Sequence, residues 1–257
     1  NSTTKLPENN QAYTWQPFTG IDQDTPTGYW NAAYDAIAHA NQILAIVDNL
    51  PGDKAQRDAV KGEALLTRAY AHFMLVNLFA KHYNAQQAAR DPGVPYVEQP
   101  EKEFIKQYKR NTVAEVYDKV ERDFLAGLPL LSSEFYLNSG KYHFTREAAL
   151  GLASRFYLFK GDLQKCITYS STLLGANPGV YVKDIPELKA TKVNEDDYLR
   201  KFHSSTDPSN LLLMRQVSTA HLPSYGYWPS NSLYSAIFTR NPFSLTDVRR
   251  DPAWEVG

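Results

Sequence analysis

Cysteine is nearly missing. Cys166 is the only one in 257 residues, which excludes an intrachain disulfide framework and a thiolate metal cluster. Long apolar runs are missing too: none approaches the roughly 20 residues that a membrane-crossing helix needs. Neither sign of charge dominates, with 27 basic against 28 acidic residues and a net charge of −1. A nucleic-acid binder must neutralise phosphates, and this balance supplies no general basic field, so no nucleic-acid partner is expected. Catalytic signatures are equally scarce. The histidines (His39, His72, His82, His143, His203 and His221) show no HExxH spacing, and neither a nucleophile elbow nor a glycine-rich phosphate loop is present. No catalytic residue, metal ligand or cofactor is assigned. The opening residues Asn1, Ser2, Thr3 and Thr4 are not a charged segment followed by an apolar one, so they do not read as a secretion signal.

What is abundant is apolar and aromatic. Hydrophobic residues make up 43% of the chain, enough for a sizeable core. There are 17 Tyr, 12 Phe and 4 Trp, more rings than a plain helical bundle needs. Many fall in stretches rich in Pro, Gly and Ser. A flat ring in an exposed loop suits stacking on a sugar, whose axial C–H bonds form an apolar face; the competing use of each ring is core packing.

Helical periodicity dominates the first two thirds of the chain. Over residues 28–49, Trp30, Ala33, Tyr34, Ile37, Ala40, Leu44 and Val47 recur at steps of three and four, and Leu50, Pro51 and Gly52 end the segment. A second helix is predicted over residues 53–81, and its later part is apolar on most sides, which places it centrally. After an irregular stretch opened by Asp91, Pro92 and Gly93, Thr112 and Glu115 match a capping box for a helix that fades near Gly127 and Pro129. A final pair is predicted over 145–160 and 162–174, separated by Gly161. There Ala149, Ala153 and Tyr157 face Cys166, Ser170 and Leu173, and Pro178 closes. Small residues with an aromatic between them let two antiparallel helices approach as in a tetratricopeptide repeat, and Cys166 reads as a small packing residue. The order Glu63, Ala64, Leu66, Ala69, Phe73 is echoed by Glu147, Ala148, Leu150, Ala153, Tyr157. The fold class is therefore all-α: tetratricopeptide-like hairpins over 28–178, in one domain of 1–257 that ends in a loop-rich segment, 179–257.

That segment is the candidate ligand-binding region, because loops draped on a rigid scaffold carry most binding residues. Only short elements are predicted there, a strand at 211–214 and a helix at 231–238. The candidate ligand residues are Trp15, beside Tyr13, Pro17 and Gly20, together with Tyr225, Tyr227, Trp228 and Asn231 of one loop. Two or three stacking rings and an amide hold an oligosaccharide without any chemistry being done to it. The acidic run Glu195, Asp196, Asp197 suits calcium or a solvated loop, and is read as the loop. Arg68 and Asp123 stand in otherwise apolar helices, where a buried guanidinium needs a partner from Asp123 or Glu63. Asn41 is expected to satisfy backbone groups where helices meet.

Several blocks together carry a family resemblance. Trp30, Tyr34, Ile37, Ala40 and Asn41 form one; Gly62, Glu63, Ala64, Arg68, Ala69 and Phe73 a second; Val94, Pro95 and Val97 a third. Val116 and Tyr117 with Asp123, then Ala148 and Ala149 through Gly161, then Asp247 and Arg249 complete the order. In this sequence they cover nearly everything from Trp30 to Arg249, and the chain resembles the SusD/RagB family of Bacteroidetes outer-membrane lipoproteins. The resemblance implies a right-handed helical superhelix, a glycan site on inserted loops and no enzymatic activity. It also implies an N-terminal lipid anchor on the extracellular face of the outer membrane, absent from this chain, and a SusC-like TonB-dependent transporter as partner. Two other readings stay open: a tetratricopeptide-like protein-interaction scaffold that binds no sugar, and a helical glycosidase using paired carboxylates.

Overall fold

The computed structural model describes residues 7–21, 25–103, 106–136, 140–202, 204 and 206–212. The chain divides into two compact units. One comprises Ile21–Val182 with Ser205–Met214; the other draws on Asn1–Gly20, Lys183–Ser204 and Arg215–Gly257.

Among the described residues eight α-helices run in chain order: α1 (Pro7–Tyr13), α2 (Pro26–Ile46), α3 (Lys54–Phe79), α4 (Val113–Gly127), α5 (Arg146–Lys160), α6 (Leu163–Leu174), α7 (Ile185–Ala190) and α8 (Glu195–Phe202). No strand occurs among the described residues. The larger unit holds α2 to α6, and each start there has a local cause. The hydroxyl of Thr25 accepts from Gly28 N, and Asp53 caps α3 through Ala55 N. At α4 the predicted capping box is complete: Thr112 accepts from Glu115 N at 3.2 Å while Glu115 accepts from Thr112 N at 2.9 Å.

α3 lies at the centre, packed against both α2 and α4. Its crossing with α4 is a glycine-to-glycine approach. A Cβ added at Gly127 would lie 2.4 Å from Leu66 Cδ2 and 2.9 Å from Gly62 O, and one at Gly62 would lie 2.9 Å from Gly127 O. Phe73 then joins the layers, edge-on to Tyr117 of α4 at 6.0 Å and to Phe156 of α5 at 5.6 Å.

α5 and α6 form the predicted hairpin. Gly161 takes φ 81 at the end of α5, the left-handed turn that only glycine adopts without strain. Ser154 Oγ meets Cys166 Sγ at 3.5 Å, while Tyr157 stacks on Tyr169 at 5.3 Å. Only Gly161 and Asp162 separate α5 from α6, so the chain reverses there and the two helices pack side by side. The sequence echo is a burial echo: Ala64, Leu66, Ala69 and Phe73 are buried, and so are Ala148, Leu150, Ala153 and Tyr157. One carboxylate clamps this hairpin to α4. Glu121 accepts from Tyr157 Oη at 2.8 Å, Lys160 Nζ at 2.5 Å and Lys165 Nζ at 2.9 Å. Its partial burial works to raise its pKa, but the bonds from Lys160, Lys165 and Tyr157 outweigh that and hold it at about 2.

The smaller unit corrects part of the sequence reading. Residues 185–190 and 195–202, expected to be irregular, are helical. Pro186 sits in the first turn of α7, where its fixed φ and missing N–H cost nothing. Residues 195–197 are not a loop but the start of α8, where the Asp197 carboxylate lies in the first turn and is favoured by the helix dipole. Asp197 there accepts from Val193 N at 3.0 Å, and Asn194 Oδ1 accepts from Asp197 N at 2.8 Å. In the larger unit, Leu211 and Leu212, predicted to start a strand, lie in irregular backbone.

Candidate functional site

Of the five candidate ligand residues, Trp15 is described. Tyr225, Tyr227, Trp228 and Asn231 lie outside the described residues, as do Asp247, Arg249 and the helix expected at 231–238.

Trp15 sits two residues past the end of α1, in the smaller unit. Its N–H donates to Ala12 O at 3.3 Å, and Gln16 N donates to Gln11 O at 2.8 Å. This pair of bonds is a Schellman helix end, and Trp15 occupies the left-handed position that glycine normally fills. Its φ is 55, the only positive φ among the described non-glycine residues. That conformation costs an L-residue about 1–2 kcal/mol. No burial offsets it, since the residue is 93% exposed. The loop beyond is tied rather than free: Gln11 Nε2 donates to Thr19 Oγ1 at 2.9 Å, and Gln11 Oε1 accepts from Thr19 N at 3.4 Å. Tyr13 and Phe18, on either side, are also exposed. A braced loop thus holds an indole in water in a strained conformation. Such an arrangement suits stacking on an apolar ligand face.

The larger unit contains a buried polar cluster, and its geometry assigns it to the scaffold. Arg68 Nε donates to Asp123 Oδ2 at 2.6 Å and Arg68 Nη1 to Asn41 Oδ1 at 2.9 Å. Of the two carboxylates expected to pair with Arg68, Asp123 does so. Glu63 instead accepts from His143 Nδ1 at 2.8 Å. Tyr96 Oη donates to Asp123 Oδ2 at 2.7 Å, and Asn41 Nδ2 donates to Val97 O at 3.1 Å, the backbone role expected for it. His72 is fully buried and stacks on Tyr96 at 3.8 Å. Its Nδ1 bonds Arg68 O at 2.9 Å while Nε2 accepts from Val97 N at 3.1 Å, which fixes a neutral tautomer. Desolvation lowers its pKa to about 4. Every member has its partners inside the fold, so the cluster has nothing to offer a substrate.

Among the described residues no group of three or more His, Cys, Asp or Glu is placed to hold a metal, and no helix is long and apolar enough to cross a membrane. Sequence reasoning missed the tyrosines on helices and turns, because helical spacing assigns such rings to the core. Tyr29 and Tyr142 are 38% and 56% exposed, and only the folded chain shows them to be surface rings.

Residues 1–158 match a family model, SusD-like, described as starch-binding and associating with the outer membrane. Among solved structures the chain is similar to a SusD superfamily protein from Bacteroides thetaiotaomicron, at 25% identity and TM-score 0.61 over 73% of this chain and 40% of that one. It is similar to a SusD-like carbohydrate binding protein from Bacteroides vulgatus, at 27% identity and TM-score 0.56, covering 67% of this chain and 35% of the other. A SusD superfamily protein from Bacteroides fragilis matches at 25% identity and TM-score 0.53, over 63% and 39% of the respective chains. This chain therefore spans less than half the length of these structures. No curated protein matches it.

Proposed function

Since the chain belongs to the SusD-like family, we propose that it captures oligosaccharides at the outer membrane and delivers them to a SusC-like TonB-dependent transporter, without cleaving them. A lipid anchor on the extracellular face belongs to the same proposal. The observation that carries the reading is Trp15, exposed and in a left-handed backbone conformation at the end of a braced helix. An indole kept there at a cost in both strain and hydration is explained by a ligand that covers it. Stacked rings contribute roughly 1–3 kcal/mol each when an aromatic ligand lies on them, and a sugar face is expected to gain about tenfold in affinity.

The test uses Trp15→Gly. Glycine removes the ring and relieves the strain together, so the variant is expected to be more stable by up to about 1 kcal/mol and to bind roughly tenfold more weakly. Affinity electrophoresis and calorimetry against α-glucans, β-glucans and xylans read the binding. Silence of the parent protein across that panel refutes glycan capture, and release of reducing ends on long incubation refutes the non-enzymatic part.

A second reading, an interaction scaffold without sugar binding, draws on α6. Leu163, Ile167 and Leu174 stand 60%, 57% and 38% exposed at helical spacing, an apolar stripe of the kind protein partners cover. Under that reading the sugar panel is silent.

A further inference from the structure

A cavity of about 340 Å³ opens in the larger unit between the first half of α2, the middle of α3 and the turn at residues 140–144. Small side chains create it. Ala32, Ala33 and Ala36 leave one face of α2 recessed, so the rings around it are held apart. Three tyrosines wall the space: Tyr29 from α2, Tyr70 from α3 and Tyr142 from the turn. Tyr70 is braced edge-on against Phe144 at 5.9 Å. Tyr29 and Tyr142 keep 38% and 56% of their surface in water. Burial, and then the nearby Tyr70 phenol, push the Tyr29 hydroxyl upward, so it remains a neutral donor and acceptor at physiological pH.

The polar wall comes from α3. Glu63 and Thr67 lie one helical turn apart and both line the cavity. Glu63 Oε1 accepts from His143 Nδ1 at 2.8 Å and from Phe144 N at 3.3 Å, and this fixes the Tyr142 turn as part of the wall. Lys141, beside Tyr142, donates to Asp207 O and ties the same turn a second time. The site is thus pre-formed, which keeps the ordering cost of binding low.

We infer that the cavity framed by Tyr29, Tyr70, Tyr142, Glu63 and Thr67 is a binding subsite for the end of a neutral oligosaccharide. The inference rests on the glycan-binding reading above and assigns to it a place within the larger unit. Ring faces match the axial C–H face of a pyranose. Phenol, hydroxyl and carboxylate groups match its hydroxyls. The volume sits at the small end of ligand pockets, roughly 300–1,000 Å³, room for a mono- or disaccharide terminus rather than a polymer midsection. None of the lining residues is basic and one is acidic, so uronic, sulfated or phosphorylated sugars are repelled.

The experiment is calorimetry of the whole chain with maltotriose, laminaritriose, cellotriose and a trigalacturonate. Three variants are compared: Ala36→Phe, which fills the space without removing any contact; Tyr142→Ala, which truncates an exposed ring; and Trp15→Gly. At least one neutral trisaccharide is expected to bind, with a loss of tenfold or more in both cavity variants and none for trigalacturonate to lose. Thermal melting checks the fold, and if Ala36→Phe melts early, Tyr142→Ala decides. If a neutral trisaccharide binds and both cavity variants stay within twofold of the parent while Trp15→Gly loses affinity, the subsite is refuted and glycan capture stands. A trigalacturonate that binds more tightly than the neutral sugars overturns the assigned ligand class. If no sugar binds the parent, both readings fall.

Discussion

Removing the carboxylate of Asp123 tests the assignment of the buried cluster most directly. The side chains of Arg68 and Asp123 keep only 8% and 3% of their surface in water. Asp123→Ala leaves the guanidinium buried with Asn41 Oδ1 and Glu98 O as its remaining partners, and it strips the Tyr96 hydroxyl of its carboxylate. Breaking a buried pair from one side costs about 3–5 kcal/mol, because the stranded charge has no water to return to. For a chain of this size each kcal/mol moves the melting temperature by roughly 2–4 °C, so a fall on the order of 10 °C is expected. The double variant Arg68→Met with Asp123→Leu removes both charges together, and apolar replacement of a buried pair is often neutral or better. It is expected to recover most of the loss, short of about 1 kcal/mol for Asn41 Oδ1, left unpaired, and for the Tyr96 hydroxyl, left with the longer bond to Lys119 O. Urea denaturation followed by circular dichroism measures both. The reasoning fails if the single variant loses less than about 1 kcal/mol, or if the double variant is no more stable than the single.

Two further perturbations probe the frame. Gly127→Ala introduces a better helix former, yet its Cβ would lie 2.4 Å from Leu66 Cδ2 and 2.9 Å from Gly62 O; overpacking is expected to cost about 1–3 kcal/mol, and a variant as stable as the parent in thermal melting would show that α3 and α4 do not cross this closely. Acid should weaken the fold through His72. Its folded pKa of about 4 lies below the ordinary 6.5, so between those values the unfolded chain binds more protons and stability falls as the pH falls. Down to pH 5 this amounts to about 2 kcal/mol; in His72→Gln, whose amide still accepts from Val97 N, that component of the pH 7-to-5 slope is expected to vanish, and an unchanged slope would refute the burial argument.

The frame was legible because its signals are local. Apolar residues three and four apart, the Thr112 and Glu115 capping box and the Gly161 turn each act within a few residues, and each reappears in the helices they predict. The Arg68 partner was legible only as a choice, since pairing across the fold depends on which carboxylate the Gly62–Gly127 crossing brings near. α7 and α8 escaped because segment 179–257 read as loop-rich and the acidic run as a solvated loop, whereas Pro186 and Asp197 are favourable in the first turn of a helix. For the site, composition marked Trp15 but not its conformation: a left-handed tryptophan has no sequence signature. Tyr29, Tyr70 and Tyr142 belong to three separate segments, and nothing short of the folded chain groups them.

The polar residues inside these helices answer a backbone problem. Residues 94–98 cross the helices as a buried strap with no strand beside them, and buried peptide groups must find partners. Side chains supply them. Tyr34 Oη donates to Pro95 O at 2.8 Å, Asn111 Oδ1 accepts from Tyr96 N at 2.9 Å, and His72 Nε2 accepts from Val97 N at 3.1 Å. Asn41 Nδ2 and Arg68 Nη1 reach Val97 O and Glu98 O at 3.1 and 3.3 Å. Histidine, arginine, aspartate and tyrosine within bonding distance would ordinarily invite a catalytic reading, but here each is accounted for by an amide, a carbonyl or a neighbour that it satisfies. Function is better sought where a local cost has no internal compensation. By that criterion the indole of Trp15, strained and in water, outranks every charged group in the core.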